Sequence, residues 1–220
     1  MPKAPQDQPE STAGSPLSGR RRQAARNDEL ILSAARQVFL ADPGAPISAV
    51  ARRAGVGISA LYTRYGSKDE LLRTLCQNGL QRFIDETEIA LAASGEPWSV
   101  FSDYMRRLVD ADTSSLTLAL AGTFTPTEEM FEMGARAGQL LDELFERNRA
   151  SLRAGLEPHD VSLVFEMVAA IRVADEQRTS ELRRRCLQVI LDGLRATEGE
   201  ALPGPAPSWQ EINERWQSNV

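Results

Sequence analysis

Apolar side chains recur every three or four positions along most of this chain, the spacing of helices buried along one stripe. In residues 27–41 the stripe is Leu30, Ile31, Ala34, Ala35, Val38 and Phe39. Asn27 is the expected N-cap there, Asp28 and Glu29 suit the positive end of the helix dipole, and Asp42-Pro43-Gly44 is the stop. Next come two short segments. Ile47, Val50, Ala51 and Ala54 share a helical face; Gly55 then supplies a left-handed stop. After it, Val56 and Leu61 can fold back on the first segment while Ser59, Ala60, Tyr62, Thr63 and Arg64 point elsewhere. Gly66-Ser67 breaks the chain, and Ser67 with Glu70 has the form of a capping box opening a long helix over residues 68–93. Its inner face carries Leu71, Leu72, Leu75, Leu80, Phe83 and Ile84.

The rest of the chain continues in the same period. Pro97 begins a helix over residues 97–112, with Phe101, Met105, Leu108 and Val109 inward. A short apolar helix spans 115–121, Thr127 caps another running to 149, and two helices over 159–174 and 179–196 close the body. Val161, Val164, Phe165, Val168 and Ile171 share one face of the first of these; Leu182, Cys186, Val189, Ile190 and Gly193 share one face of the second. No convincing period-two strand appears, so the expected fold is all-α. The ends differ in character. Residues 1–19 are rich in Pro, Ser, Gln and Gly and should be disordered, and residues 199–207 are rich in Gly and Pro. The final SWQEINERW is either one or two helical turns docked by Trp209 and Trp216, or loose.

Charge divides the chain. The net charge is −6, yet residues 20–68 hold nine basic and three acidic side chains, so a basic quarter at +6 sits on a remainder at −12. That division suits a polyanion-binding head on a non-binding body. Arg20, Arg21 and Arg22 are either a solvated cluster or an arm that follows phosphates or enters the minor groove. No apolar run is long enough to span a membrane and no signal-peptide core precedes the head, so a cytoplasmic chain without membrane partners is expected. Two well-separated cysteines, Cys76 and Cys186, and the lone His159 give no metal spacing. No phosphate-cradling loop or nucleophile elbow appears, so neither catalysis nor a cofactor or metal is expected. The alternatives are a helical-bundle enzyme built on carboxylates and a redox sensor using Cys76 or Cys186.

The two short segments with their turn read as a helix-turn-helix, whose second helix fits the DNA major groove. Residues 26–72 resemble the DNA-binding domain of the TetR family of transcriptional regulators. The resemblance lies in Ile31-Leu32-x-Ala34-Ala35 and Phe39, in Val50-Ala51-x-x-Ala54-Gly55-Val56, and in Leu61-Tyr62-x-x-Tyr65-x-Ser67-Lys68-x-x-Leu71. It implies a three-helix DNA-binding domain joined to a larger helical ligand-binding and dimerisation domain. The expected division is a tail over 1–22, the DNA-binding domain over 23–84, the ligand-binding and dimerisation domain over 85–198 and a C-terminal tail over 199–220. The implied function is a repressor that binds a palindromic operator in double-stranded DNA as a homodimer and leaves it on binding a small-molecule effector.

The resemblance also assigns roles. Tyr62 and Lys68 fall where phosphates are touched; Ser59 or Thr63 reaches base edges, and Ala60 meets a thymine methyl. Arg64, where the family often has His or Tyr, either reads guanine or binds phosphate. The second helix opens on Pro46-Ile47 where the family has Thr or Ser, leaving Ser48 to supply a phosphate contact, and the cap of the recognition helix is Gly57 in place of Ser. An effector cavity among the middle helices would draw on Phe83, Trp98, Phe101, Met105, Leu120, Phe124, Met130, Met133, Phe165 and Met167. Arg106, Glu132 and Arg136 are either polar anchors for that ligand or surface residues. The last two helices would form the dimer interface, through Phe165, Ala169, Ala170, Val189 and Gly193.

Overall fold

The computed structural model describes residues 16–196, 200–208, 210–212 and 214, with side chains from Arg26 onward. Among the described residues nine named α-helices follow one another: α1 Pro16–Ala41, α2 Ile47–Ala54, α3 Ile58–Tyr65, α4 Lys68–Ala92, α5 Pro97–Ala111, α6 Thr113–Leu120, α7 Glu128–Asn148, α8 Pro158–Ala169 and α9 Glu176–Leu194. A single 3-10 turn, Arg149–Ser151, trails α7. Among the described residues there is no strand, only one isolated bridge between Leu152 and Arg195, and no helix is long and apolar enough to cross a membrane.

Local chemistry sets most boundaries. Ser67 accepts a hydrogen bond from the Glu70 N–H and so caps α4. The capping box is incomplete, because the Glu70 carboxylate turns to Arg73 at 2.9 Å and the Ser67 N–H is taken by the Tyr65 carbonyl. Thr127 caps α7, and Glu96 caps α5 ahead of Pro97 by accepting from the Trp98 and Ser99 N–H groups. Glu157 and Asp160 form a reciprocal box around the start of α8.

Three boundaries differ from the sequence-based expectation. Helix α1 starts at Pro16, so Asn27 lies inside it and caps nothing. The Arg, Gln and Ala residues that precede Asn27 are good helix formers, and they extend the helix backward without needing a cap. Helix α8 stops at Ala169, and α9 begins earlier than expected because Asp175 caps it through the Arg178 N–H. Arg20, Arg21 and Arg22 fall on the helical backbone of α1, but their side chains, like residues 1–15, Trp209 and Trp216, lie outside the described residues.

Two apolar cores result. The head core joins Ile31, Ala35 and Phe39 of α1 to Val50 of α2, Leu61 of α3 and Leu71, Leu72 and Leu75 of α4. Val38 and Val56 pack half-buried at its edge, whereas Leu30, part of the expected stripe, is 59% exposed. This core does not end at a domain boundary near residue 84; it takes in Leu116 and Leu120 of α6, Phe124 and Met130. The body core gathers Phe101, Tyr104, Met105 and Leu108 of α5 with Leu144 and Phe145 of α7, Val164 and Phe165 of α8, and Leu187 and Leu191 of α9.

Head and body are also tied by polar contacts. Arg36 on α1 donates from Nη2 to the Asp112 carbonyl at 2.6 Å and to its Oδ2 at 2.5 Å. Asp112 closes α5 and opens α6 in a left-handed conformation, φ 50°, and is the non-glycine residue with positive φ among those described. Its Oδ1 receives Arg183 of α9 at 2.8 Å and the Ser115 hydroxyl. The Arg183 side chain is 8% exposed, and its remaining donors reach the Ile171 carbonyl at 3.0 Å, the Ala169 carbonyl at 2.7 Å and Ser115 Oγ at 2.9 Å. Arg172 adds a bond to the Leu40 carbonyl, and Arg73 one to the Thr125 carbonyl.

Candidate nucleic-acid interface and ligand cavity

Helix α2 stops where Gly55 takes φ 69°, ψ 27° and the Val56 N–H returns to the Ala51 carbonyl at 3.0 Å. That left-handed step costs a glycine almost nothing and turns the chain within two residues. Gly57 then opens α3 with extended backbone and no side-chain cap, its carbonyl receiving the Ala60 N–H. Only Leu61 and Tyr65 of α3 are buried. Gly57, Ser59, Ala60, Tyr62, Thr63 and Arg64 are all exposed on the opposite side, as is Ser48 at the start of α2. The expected recognition surface is therefore brought together on one face, and two apolar side chains, Ile58 at 42% and Tyr62 at 47%, stand in solvent within it.

Three of these residues are engaged within the protein. Thr63 donates its hydroxyl to the Ser59 carbonyl at 2.8 Å, leaving its methyl and lone pairs to face outward. Lys68 is half-buried: Nζ donates to the Pro43 carbonyl at 3.2 Å and lies 5.3 Å from the centre of the Phe39 ring. Arg64 grips Asp28 of α1 with two parallel bonds, Nε to Oδ1 at 2.8 Å and Nη2 to Oδ2 at 2.7 Å. The Arg64 hydrogen bond holds the Asp28 carboxyl below its ordinary range, and Asp28 in turn raises the guanidinium. This pair crosses 36 positions of sequence, so no local spacing announces it. Its one trace is an acid near the head of a basic region.

A cavity of about 250 Å³ opens between α4, α6, α7 and α8, just under the roughly 300–1,000 Å³ of drug-sized sites. Of the side chains expected to line a pocket, Phe83, Met130 and Phe165 do. Trp98, Phe101 and Met105 of α5 belong to the body core, while Leu120 and Phe124 belong to the head core. Met133 is half-buried outside the wall, and Met167 is 56% exposed on the far side of α8. Arg106, Glu132 and Arg136 stay at the surface, Arg136 paired with Glu88 at 2.5 Å and Arg106 with Asp103 at 2.9 Å. The wall residues that periodicity does not reveal are small: Gly79, Thr113, Thr117, Gly134 and Gly138. A glycine pair four apart inside α7 was the available signal, since each costs an exposed helix about 1 kcal/mol relative to alanine.

The outward faces of α8 and α9 are also clear. Phe165 and Ala169, expected at an interface, are buried inside the body, at 5% and 7% exposure. The helical period turns them toward Leu187 and Arg183, not outward. Val189, 70% exposed, and Gly193 face outward on α9, while Cys186 and Ile190 of the same expected face are half-buried against the body core; Met167 of α8 and Ala170 just after it are exposed.

A basic helix-turn-helix head on an all-helical body with its own cavity defines a DNA-binding regulator in architecture. The family of bacterial regulatory proteins named for tetR matches residues 31–75. The fold matches solved TetR regulators along most of their length. One from Mycobacterium vanbaalenii is 27% identical, covers 80% of this chain and 99% of its own, and superimposes with a TM-score of 0.54. One from Streptomyces coelicolor is 24% identical over 77% and 99%, at 0.55. LfrR from Mycobacterium smegmatis, solved with proflavine, is 21% identical over 74% and 95%, at 0.56. No curated protein matches the chain. Residues 31–75 are thus similar to the DNA-binding domain of the TetR family, and the chain as a whole shares the fold of TetR transcriptional regulators.

Proposed function

We propose that the protein represses transcription: two copies bind a palindromic operator, and a small molecule in the cavity releases them. The observation that carries this reading is the shared use of α4 and α6. Both contribute to the cavity wall, and both also pack into the head core through Leu71, Leu72, Leu75, Leu116 and Leu120. A ligand that changes the angle between these helices changes the seat of the head. It shifts the equilibrium only by its difference in affinity for the two arrangements.

In this reading Ser59, Ala60 and Thr63 face base edges, while Tyr62, Lys68 and the Ser48 hydroxyl meet phosphates. Arg64, near the end of α3 and held by Asp28, sets the angle of the recognition helix on α1. Bases are read mainly near the start of such a helix, which favours this strut role over guanine recognition. The second copy docks on the outer face of α9, around the exposed Val189 and Gly193, on a helix whose other face is already buried. Two-fold pairing calls for half-sites about one helical turn apart. A redox switch through Cys76 is not favoured, because burial pushes its thiol up to about 12.

Selection of bound duplexes from a random pool, with the mass of the complex measured in solution, tests the reading. The expected result is an inverted repeat bound by an even number of subunits. Retention without sequence preference, or one subunit per site, would overturn it.

A further inference from the structure

We infer that Ile58 selects the operator sequence through the 5-methyl group of thymine; the inference rests on the regulatory reading above and adds a base-reading residue to it. Three observations carry it. The first is what Ile58 does not do. It is 42% exposed and does not belong to the head core or its edge, although Val56 just before it and Leu61 one turn after it both do. A β-branched residue also gives an exposed helix less support than alanine or a straight-chain residue would. Neither packing nor helix propensity accounts for an isoleucine at this point.

The second is position. Ile58 is the first residue of α3, and the residues that open a recognition helix come nearest the base edges. The residue before it is Gly57, where an added Cβ would meet nothing within 4 Å, so the approach to Ile58 from that side is open. Ser59 and Ala60, next along the helix, are exposed as well.

The third is what the rest of α3 lacks. Paired hydrogen bonds distinguish the purines in the major groove, from Asn or Gln to adenine and from Arg or Lys to guanine. Helix α3 holds no Asn, Gln or Lys, and its single arginine, Arg64, is gripped by Asp28 in two bonds. Thr63 already donates its hydroxyl proton to the Ser59 carbonyl. The Ser59 hydroxyl is a single group that suits more than one base and discriminates poorly. The larger surface that α3 offers is apolar, from Ile58 and the Ala60 methyl. Thymine alone presents an apolar group in the major groove, its 5-methyl. Ile58 has the longer reach of the two side chains, so the selective contact falls to it.

The test uses the full chain and the operator selected from the random pool. Each thymine is replaced in turn, in both half-sites, by deoxyuridine, which removes the 5-methyl and leaves every hydrogen-bonding group in place. Affinity is read by fluorescence anisotropy at one fixed salt concentration. Burying one methyl group is worth about fourfold in affinity, so at the position under Ile58 the paired replacement should weaken binding by about fifteenfold. Ile58→Ala should bind the two operators alike, and Ile58→Val, which keeps a branched apolar tip, should retain most of the preference for thymine. The ratio is taken within each protein, so a general loss of DNA binding does not imitate the result. A parent indifferent to uracil at every position would overturn the inference and leave the regulatory reading standing, as would an Ile58→Ala protein that keeps the full preference. A pool that yields no preferred sequence would refute the regulatory reading, and this inference with it.

Discussion

The joint at Asp112 makes a quantitative prediction. Asp112→Ala removes the carboxylate that both Arg36 and Arg183 use. Stripping one partner from a buried pair costs about 3–5 kcal/mol, because the other charge is left unpaired. Two features place the expected loss at the lower end. Arg36 is 31% exposed, so water screens it, and Arg183 keeps the carbonyls of Ala169 and Ile171 and the Ser115 hydroxyl. We expect about 3 kcal/mol, which for a chain of this size lowers the melting temperature by roughly 6–12 °C. Asp112→Gly loses the same pairs but removes the side chain from a left-handed backbone, φ 50°. A left-handed alanine costs about 1–2 kcal/mol, so the glycine variant should melt above the alanine variant by several degrees. Asp112→Asn, which keeps the shape and loses the charge, should fall between parent and alanine. Circular dichroism melts of the four proteins in one buffer read the order directly. An alanine variant within about 1 kcal/mol of the parent, below the range for a broken buried pair, would refute the reasoning; so would a glycine variant less stable than the alanine one.

Four further outcomes follow from the head and from α4. Arg64→Ala should weaken binding to all DNA sequences alike, and Asp28→Asn should reproduce it; loss of preference at one base position would restore Arg64 as a reader. The same pair should contribute under about 1 kcal/mol to stability, given its exposure. Because Asp28 is held below its ordinary range, that contribution is complete above the unfolded value of about 3.9 and vanishes as pH falls through the lowered folded value. The gap between the parent and Arg64→Ala melts should therefore be flat from neutral pH down and close only in acid; a gap that widens in acid contradicts the assignment. Lys68→Ala should lower the slope of log affinity against log salt by about one and weaken all sites equally, as the loss of one phosphate contact does; an unchanged slope would confine Lys68 to its contacts with Pro43 and Phe39. In the native protein at pH 8, Cys76 should resist iodoacetamide by mass spectrometry and react only once the fold is opened with denaturant, because burial keeps the Cys76 thiol protonated; labelling of Cys76 in the native protein would show that the interior opens readily.

Local chemistry was legible where one residue type has one job. Gly55 and Gly66 had to end helices, Ser67 and Thr127 had to cap them, and the apolar period placed Ile31, Val50, Leu61 and Leu71 inside. What stayed hidden was any partnership between distant positions. Asp28 looked like a helix-dipole acid, yet it holds Arg64; Arg183 stands in a run of three arginines, and nothing in that run marks it as the buried one. The cavity was misplaced for a related reason. Large apolar residues fill space, so Phe101, Met105 and Leu120 became core, and the hollow lies where Gly134 and Gly138 leave the helix bare. The start of α1 failed because a cap is sufficient to begin a helix and not necessary.

Helix α4 has 25 residues, a rod of about 37 Å by the rise of an ideal helix. It runs from Lys68 at the DNA end, past Gly79 and Phe83 in the cavity wall, to Ala90 in the body core. Pivoting such a rod by only about 5° about its body end swings the other tip by about 3 Å, nearly the 3.4 Å step from one base to the next along a strand. In a symmetric pair the displacement is doubled. A rearrangement too small to notice around the cavity is thus enough to put two recognition helices out of phase with consecutive grooves.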